Sequence, residues 1–327
     1  MVSPTPVQAA QVAALPGNLN PLTGLALMDG ALNRRPMLVK ISNAPPLVRP
    51  QAGIGAADVV FEHYTEGGLT RFSALFWSQA PTRVGSIRSA RLIDDELTAM
   101  YQALLAYSGA SDGVQAILDS ADFAPRSYRA PTPYFYRDEA GFAPHNLFLD
   151  VSALYALAAQ QGYAQKPDLR GTVFDAAPPP ASAGTGMVVE VDYAATLASW
   201  VYDASRGVYL RFSDGQPHID ANTGAQVAAQ NVVVLYARHA ETEIVESIWQ
   251  DVVSYSIEID LTGESDAVLV RDGQRYDARW QRSHRDQPLI LTTPSGDPLA
   301  LKPGVTWFQV FPTAEQQRSG EERVSIR

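Results

Sequence analysis

Apolar positions fall in short runs along this chain, and their period changes between its two halves. Met37, Leu38, Val39 and Ile41 mark Pro36–Ser42 as a buried strand, and Asp58–Tyr64 and Thr70–Trp77 have the same character. Glu66-Gly67-Gly68 between the latter two signals a hairpin, because glycine tolerates positive φ. Ile93, Leu97, Met100, Tyr101 and Leu104 recur at helical spacing and predict an amphipathic helix with Ser89 as its N-cap. Two more helices are predicted over Val114–Ala121 and Val151–Gln161.

Beyond Met187 the runs shorten and alternate. Met187–Val191, Ser199–Tyr202, Val208–Phe212, Val232–Ala237, Ser256–Asp260, Ala267–Val270, Tyr276–Gln281, Leu289–Leu291 and Thr306–Phe311 read as strands. Asp214-Gly215, Asp272-Gly273 and Ser295-Gly296 supply turns between them. The expected class is α+β, an N-terminal mixed α/β domain followed by a mainly antiparallel β C-terminal domain. Residues 1–19, uncharged and rich in Pro, Ala and Gln, read as a flexible tether. The N-terminal domain is expected over 20–164 and the C-terminal one over 187–312, each with its own core. The Pro- and Gly-containing segment 165–186 is the expected linker, and 313–327 a polar tail.

Composition narrows the function. With 327 residues and 46% hydrophobic content, the chain can bury real cores, yet no run approaches the roughly 20 apolar residues of a membrane helix. A net charge of -10 argues against nucleic acid as a partner. The absence of cysteine removes disulfides, thiolate nucleophiles and cysteine-bound zinc. No nucleophile elbow, HExxH helix, phosphate-binding P-loop or dinucleotide fingerprint is present, and the five histidines stand singly. Neither metal nor cofactor is therefore expected.

The arginines change the picture. Residues 34–91 hold eight basic and three acidic side chains, a local +5 within a chain of -10. Arg88 and Arg91 sit where the helix begins, beside the partial positive charge of its unpaired N–H groups. An anion would relieve that arrangement. Either it is an external phosphate or carboxylate, held with Arg49, Arg71 and Ser89, or it is internal. In the internal case Arg91 reaches Asp94 or Asp95, and Arg71 or Arg88 pairs with Glu62 or Glu66. Asp58, Glu62, Glu66, His145 and Asn146 are the polar residues expected to share the site.

Several collinear motifs also stand in this stretch and beyond it. They are Asn20-Pro21-Leu22-Thr23-Gly24, Arg49-Pro50-Gln51, Ala57-Asp58-Val59-Val60, Glu66-Gly67-Gly68-Leu69-Thr70-Arg71-Phe72, Gly85-Ser86-Ile87-Arg88-Ser89-Ala90-Arg91 and Pro144-His145-Asn146-Leu147. The set resembles the YerB-like family, bacterial proteins described as lipoproteins with a domain of unknown function. Tyr209-Leu210-Arg211-Phe212, Asn231-Val232-Val233-Val234 and Lys302–Trp307 extend the resemblance to about residue 312. It implies two domains and a precursor with an export signal and a lipid-modified cysteine. The protein would then be extracytoplasmic and membrane-associated only through that anchor. Ser86-Ile87 stands where the family has Pro-Val, which leaves both arginines intact. No catalytic residue carries over.

Asp58 followed by two strands and Arg88-Ser89-Ala90-Arg91 is also similar to the core of LytR–CpsA–Psr phosphotransferases. That similarity implies Asp58 as a metal ligand and Arg71, Arg88 and Arg91 as phosphate contacts. Three classes follow: a binding module for an anionic wall polymer or lipid-linked phosphate, an envelope enzyme acting on one, or a scaffold for a protein partner.

Overall fold

The computed structural model describes residues 18–27, 32–317 and 323–327, so residues 1–17 of the expected tether lie outside it. β1 (Met37–Ser42), β2 (Val59–Tyr64) and β3 (Thr70–Phe76) form where the apolar runs place them. β3 pairs antiparallel with both β1 and β2. The β2–β3 connection turns at Gly67 and Gly68, with φ of 70° and 73°.

α1 spans Leu92–Met100, shorter than the apolar spacing predicts. Gln102 takes φ 47° and breaks the helix, and Leu104 opens β4 (Leu104–Tyr107), parallel to β1. Leu104-Leu105-Ala106-Tyr107 is apolar on both sides, as a covered parallel strand requires, and all four residues are buried. The period of the preceding helix runs into it by coincidence. α2 (Asp112–Ser120), β5 (Ser127–Arg129) and α3 (Val151–Gln160) follow. Asp150 caps α3, accepting from the Ala153 amide at 2.8 Å.

The C-terminal half is mostly strand and, among its described residues, has no α-helix. β6 (Val188–Asp192), β7 (Leu197–Asp203) and β8 (Val208–Ser213) make an antiparallel meander. β9 (Asn231–Trp249) and β10 (Val252–Asp260) form a long hairpin. β11 (Gly263–Arg271), β12 (Gln274–Arg282), β13 (Ile290–Thr292) and β14 (Thr306–Pro312) are the remaining longer strands, apart from β15 (Val324–Ile326) at the C-terminus. The molecule is mostly β, with its three α-helices among the described residues all in the N-terminal half.

One sheet runs through both halves, in the order β13-β12-β11-β9-β14-β2-β3-β1-β4-β5. β14 lies between β9 and β2 and is parallel to both. The two hydrophobic clusters are therefore the two faces of this sheet. Leu38, Phe61 and Leu97 share one with Val233, Leu269 and Phe308, while Val39, Phe72 and Ile87 share the other with Trp200, Val232 and Trp307. The expectation of one core per segment is corrected accordingly. Sequence punctuation at 165–186 locates a connection but does not reveal that strands on either side of it pair. That connection is also laid down on the protein, with Leu169 buried and Arg271 donating to the carbonyls of Asp175 and Ala176. The expected polar tail 313–327 ends instead in β15, which pairs with β6 because Val324 and Ile326 pack on the second cluster.

Candidate functional site

Strand alternation sets two polar centres on opposite faces at one end of β1–β3. Glu62 and His63 are adjacent on β2 and point to opposite sides, as do Thr70 and Arg71 on β3. On the face away from α1, Glu62 accepts both oxygens' bonds from Arg211 Nη2, at 2.9 and 2.7 Å, with both side chains wholly buried. Asn43, Thr70 and Gln309 donate to the same carboxylate at 3.2, 2.9 and 3.0 Å. Arg211 also reaches His218 Nδ1 at 2.8 Å, so the opposite ring N–H donates to Gln51 Oε1 at 2.7 Å. Burial and the Arg211 charge hold His218 well below the usual histidine range.

On the α1 face, Lys40 Nζ lies 2.8 Å from Asp94 Oδ2, again with neither side chain exposed. Lys40 also donates to Ser73 at 2.9 Å and stands 2.6 Å from His63 Nε2. The His63 Nδ1–H donates to the Tyr64 carbonyl at 2.9 Å, which leaves Nε2 as the acceptor for Lys40. Burial, only partly offset by Asp94, pushes Lys40 down to about 8, and burial and Lys40 push His63 well below its ordinary value. Desolvation seals this centre, so its role is to fix α1 on the sheet.

The arginines lie next to it. Ser86–Arg88 is clamped between β1 and Leu147–Leu149: the Ile87 amide donates to the Leu147 carbonyl at 2.7 Å and the Arg88 amide to the Lys40 carbonyl at 2.9 Å. Glycine is needed at 85, where φ is 155° and a Cβ would stand 2.8 Å from the Leu147 oxygen. Ser89 does not cap α1. Arg91 occupies the N-cap, and its amide donates to Asp94 Oδ2 at 2.7 Å. Asp94 thus turns its carboxylate back onto the helix start from three residues into the helix, taking the capping place expected of Ser89. Ser89 instead offers its carbonyl to Arg71 Nη1 at 2.6 Å.

The Arg91 guanidinium is paired, though not with Asp94 or Asp95 as its spacing suggested. Nε and Nη2 meet Glu66 at 2.6 and 2.7 Å, and Nη1 meets Glu246 at 2.8 Å. Glu246 arrives from β9 and also accepts from Ser111 and Ser256 at 3.0 and 2.6 Å. Burial opposes the charge on Glu66, yet the Arg91 bonds prevail and hold its carboxyl below the usual range. Arg71 and Arg88 form no ion pair among the described residues. Burial, then the neighbouring Arg91 charge, push Arg71 down to about 9 and lower Arg88 in the same way. Three guanidiniums therefore share two carboxylates. His145 joins them from the turn ahead of Leu147–Leu149, its Nδ1 buried without a partner among the described residues and its pKa lowered by burial and by Arg88.

The remaining expected site residues lie elsewhere. Arg49 pairs with Asp214 at 2.5 Å. Glu62 belongs to Arg211 on the other face. Asn146 closes the 138–146 loop, donating to the Asp138 carbonyl at 2.8 Å and accepting from Arg137 at 2.8 Å. Asp58 stands at the far end of β2 and accepts from Asn20, the amides of Trp77 and Ser78, and Ser78 Oγ, at 3.1, 2.6, 2.9 and 2.5 Å. With its oxygens committed and the arginines at the opposite strand end, Asp58 cannot hold a metal against a phosphate bound by Arg71 and Arg88. The metal role implied by the phosphotransferase similarity is corrected. Among the described residues, no cluster of three or more His, Asp or Glu side chains has metal-binding geometry.

Residues 22–164 match the family model described as "Protein of unknown function (DUF3048) N-terminal domain", and residues 189–308 match the corresponding C-terminal domain. The chain belongs to the DUF3048 family. A DUF3048 relative from Bacillus subtilis (strain 168), named "Putative lipoprotein YerB", is 31% identical over 301 residues, covering 89% of this chain and 86% of the relative. The crystal structure of YerB protein from Bacillus subtilis superposes with a TM-score of 0.78 at 29% identity, over 94% of this chain and 99% of that one. The YerB-like resemblance read from the motifs is thereby established for the whole two-segment fold. No helix of the described residues is long and apolar enough to cross a membrane.

Proposed function

We propose that this is an extracytoplasmic protein, lipid-anchored in its precursor, that binds an anionic component of the cell envelope through Arg71 and Arg88. The envelope location rests on the lipoprotein name of the Bacillus relative. The binding role rests on one observation: among the described residues, Arg71, Arg88 and Arg91 crowd together with Glu66 and Glu246 for counter-charge, and Arg71 and Arg88 form no ion pair. A cluster short of one anion gains from acquiring one. A phosphate accepts from both guanidinium forks at once, each charge-assisted bond contributing about 1.5–3 kcal/mol. A wall polymer or a lipid-linked phosphate supplies the same group.

The test is titration of the purified protein with soluble poly(glycerol phosphate) and with vesicles carrying a polyprenyl phosphate. Saturable binding to one of them, weakened at least tenfold in Arg71→Ala/Arg88→Ala, is the expected result. Binding to neither, or equal binding by the double variant, overturns the proposal.

A further inference from the structure

The β9–β10 hairpin continues past its support as a two-stranded arm. Its turn holds Gln250 and Asp251 at φ 45° and 67°, the left-handed pair that a tight two-residue hairpin requires. Register is fixed to the tip, with Ile248 opposite Val253 and Trp249 opposite Val252. The root of the arm is anchored: Glu246 joins Arg91 and Ser111, and Ile244 lies so close to Gly113 that a Cβ there would stand 2.6 Å from it. Beyond the root this support ends. Ile248 is 67% exposed, Val252 65% and Val253 39%, and Val245 within the root is 44% exposed. Four exposed aliphatic side chains on one narrow ribbon are costly in water, and such a patch marks a contact surface.

Charge selects the occupant. Between Ala240 and Glu258 the arm carries five acidic residues and no lysine or arginine. Glu241, Glu243 and Asp251 are exposed, and none forms an ion pair among the described residues. An anionic bilayer repels an arm that carries Asp251 at its tip and Glu241 and Glu243 at its base, and a second copy docking arm to arm would set the same carboxylates against each other. A protein surface with complementary charge meets neither objection. We propose that the arm tip docks into an apolar groove, rimmed by lysine and arginine, on another protein. Ile248, Val252 and Val253 would fill the groove while Glu241 and Glu243 meet its rim. The proposal is independent of the anion site.

Photo-cross-linking in the producing cells tests it, with a photoreactive residue at position 252 and a control at the exposed Val201. The expected result is one discrete adduct from 252 alone, joined to a partner peptide that contains lysine or arginine. Ile248→Ser and Glu241→Lys/Glu243→Lys each reduce it at least fivefold, while melting temperatures stay at the parent value. An adduct of twice the chain mass assigns the tip to a second copy and overturns the proposal. Flotation with phosphatidylethanolamine–phosphatidylglycerol vesicles that Ile248→Ser abolishes assigns it to a membrane and overturns it too. Labelling at 252 no stronger than at 201, or an adduct indifferent to charge reversal, equally contradicts it.

Discussion

Arg91 at the start of α1 and Glu246 in the middle of β9 meet at 2.8 Å, with side chains only 7% and 4% exposed. The contact joins the two sequence segments directly, and it gives Arg91 a second carboxylate beside Glu66. Its removal should have two opposite effects. Glu246→Gln keeps acceptor and donor groups for Ser111 and Ser256 but deletes a buried charge, which should lower unfolding free energy by about 3 kcal/mol. The same change leaves the cluster shorter of anion, so its affinity for a phosphorylated ligand should rise. Urea unfolding and ligand titration on one preparation check both signs.

The Glu62–Arg211 pair on the other face predicts a contrasting phenotype. Both groups are fully buried, and Glu62 accepts from four side chains besides offering its charge. Glu62→Ala would strand Arg211 among Phe72 and Trp307, whose rings lie 5.1 Å from its guanidinium carbon. A loss of about 3–5 kcal/mol is expected. Anion binding by the fraction that remains folded should be unchanged, which denaturation and titration curves will show.

Acid should destabilise the protein earlier than its carboxylates alone would dictate. Burial lowers His63 and His218 well below 6.5 and His239 to about 4. Below pH 6.5 the unfolded chain takes up protons at these positions and the native chain does not. Stability is thus complete above pH 6.5 and falls as pH drops, by about 1.4 kcal/mol per pH unit for each histidine. Unfolding measured between pH 7 and 5.5 should show that slope, reduced by roughly one third in His239→Gln.

Much of this architecture is legible in the chain. Three buried strands, a glycine hairpin and two of the helices stand where apolar spacing puts them, because local period and burial agree there. β14 is different: nothing local in Thr306–Pro312 says that it inserts beside β2 rather than staying with its sequence neighbours. Long-range pairing also hid Glu246, which lies beyond the predicted strand Val232–Ala237, and an isolated acidic residue carries no mark of its partner. Lys40 did leave a signal, as a lysine inside Met37–Ser42 in a chain with three lysines, and Asp94 stands at the third helical position, where an acidic cap belongs. The arginine cluster was readable as local charge excess, whereas Arg49 and Asp58 share its sequence neighbourhood but not its space.

Because β14 sits between β9 and β2, the halves should not fold apart. Residues 20–164 expressed alone would present the bare edge of β2 and half of each hydrophobic cluster to water. The fragment should be aggregated or unfolded, and the full chain should melt in one cooperative transition. A soluble 20–164 fragment with a native-like circular dichroism melt would mean that the shared sheet is dispensable.

Arg88 bears most directly on the proposed function, since it combines partial exposure, no ion pair among the described residues and a position beside Arg71 and His145. The deciding measurement is the dissociation constant of Arg88→Ala for poly(glycerol phosphate) against the parent protein, taken at two salt concentrations. The account predicts affinity at least tenfold weaker, a shallower dependence on salt, and a melting temperature within a few degrees of the parent. Unchanged affinity, or a large fall in melting temperature with no phosphate effect on the parent, would contradict it and make the cluster purely structural.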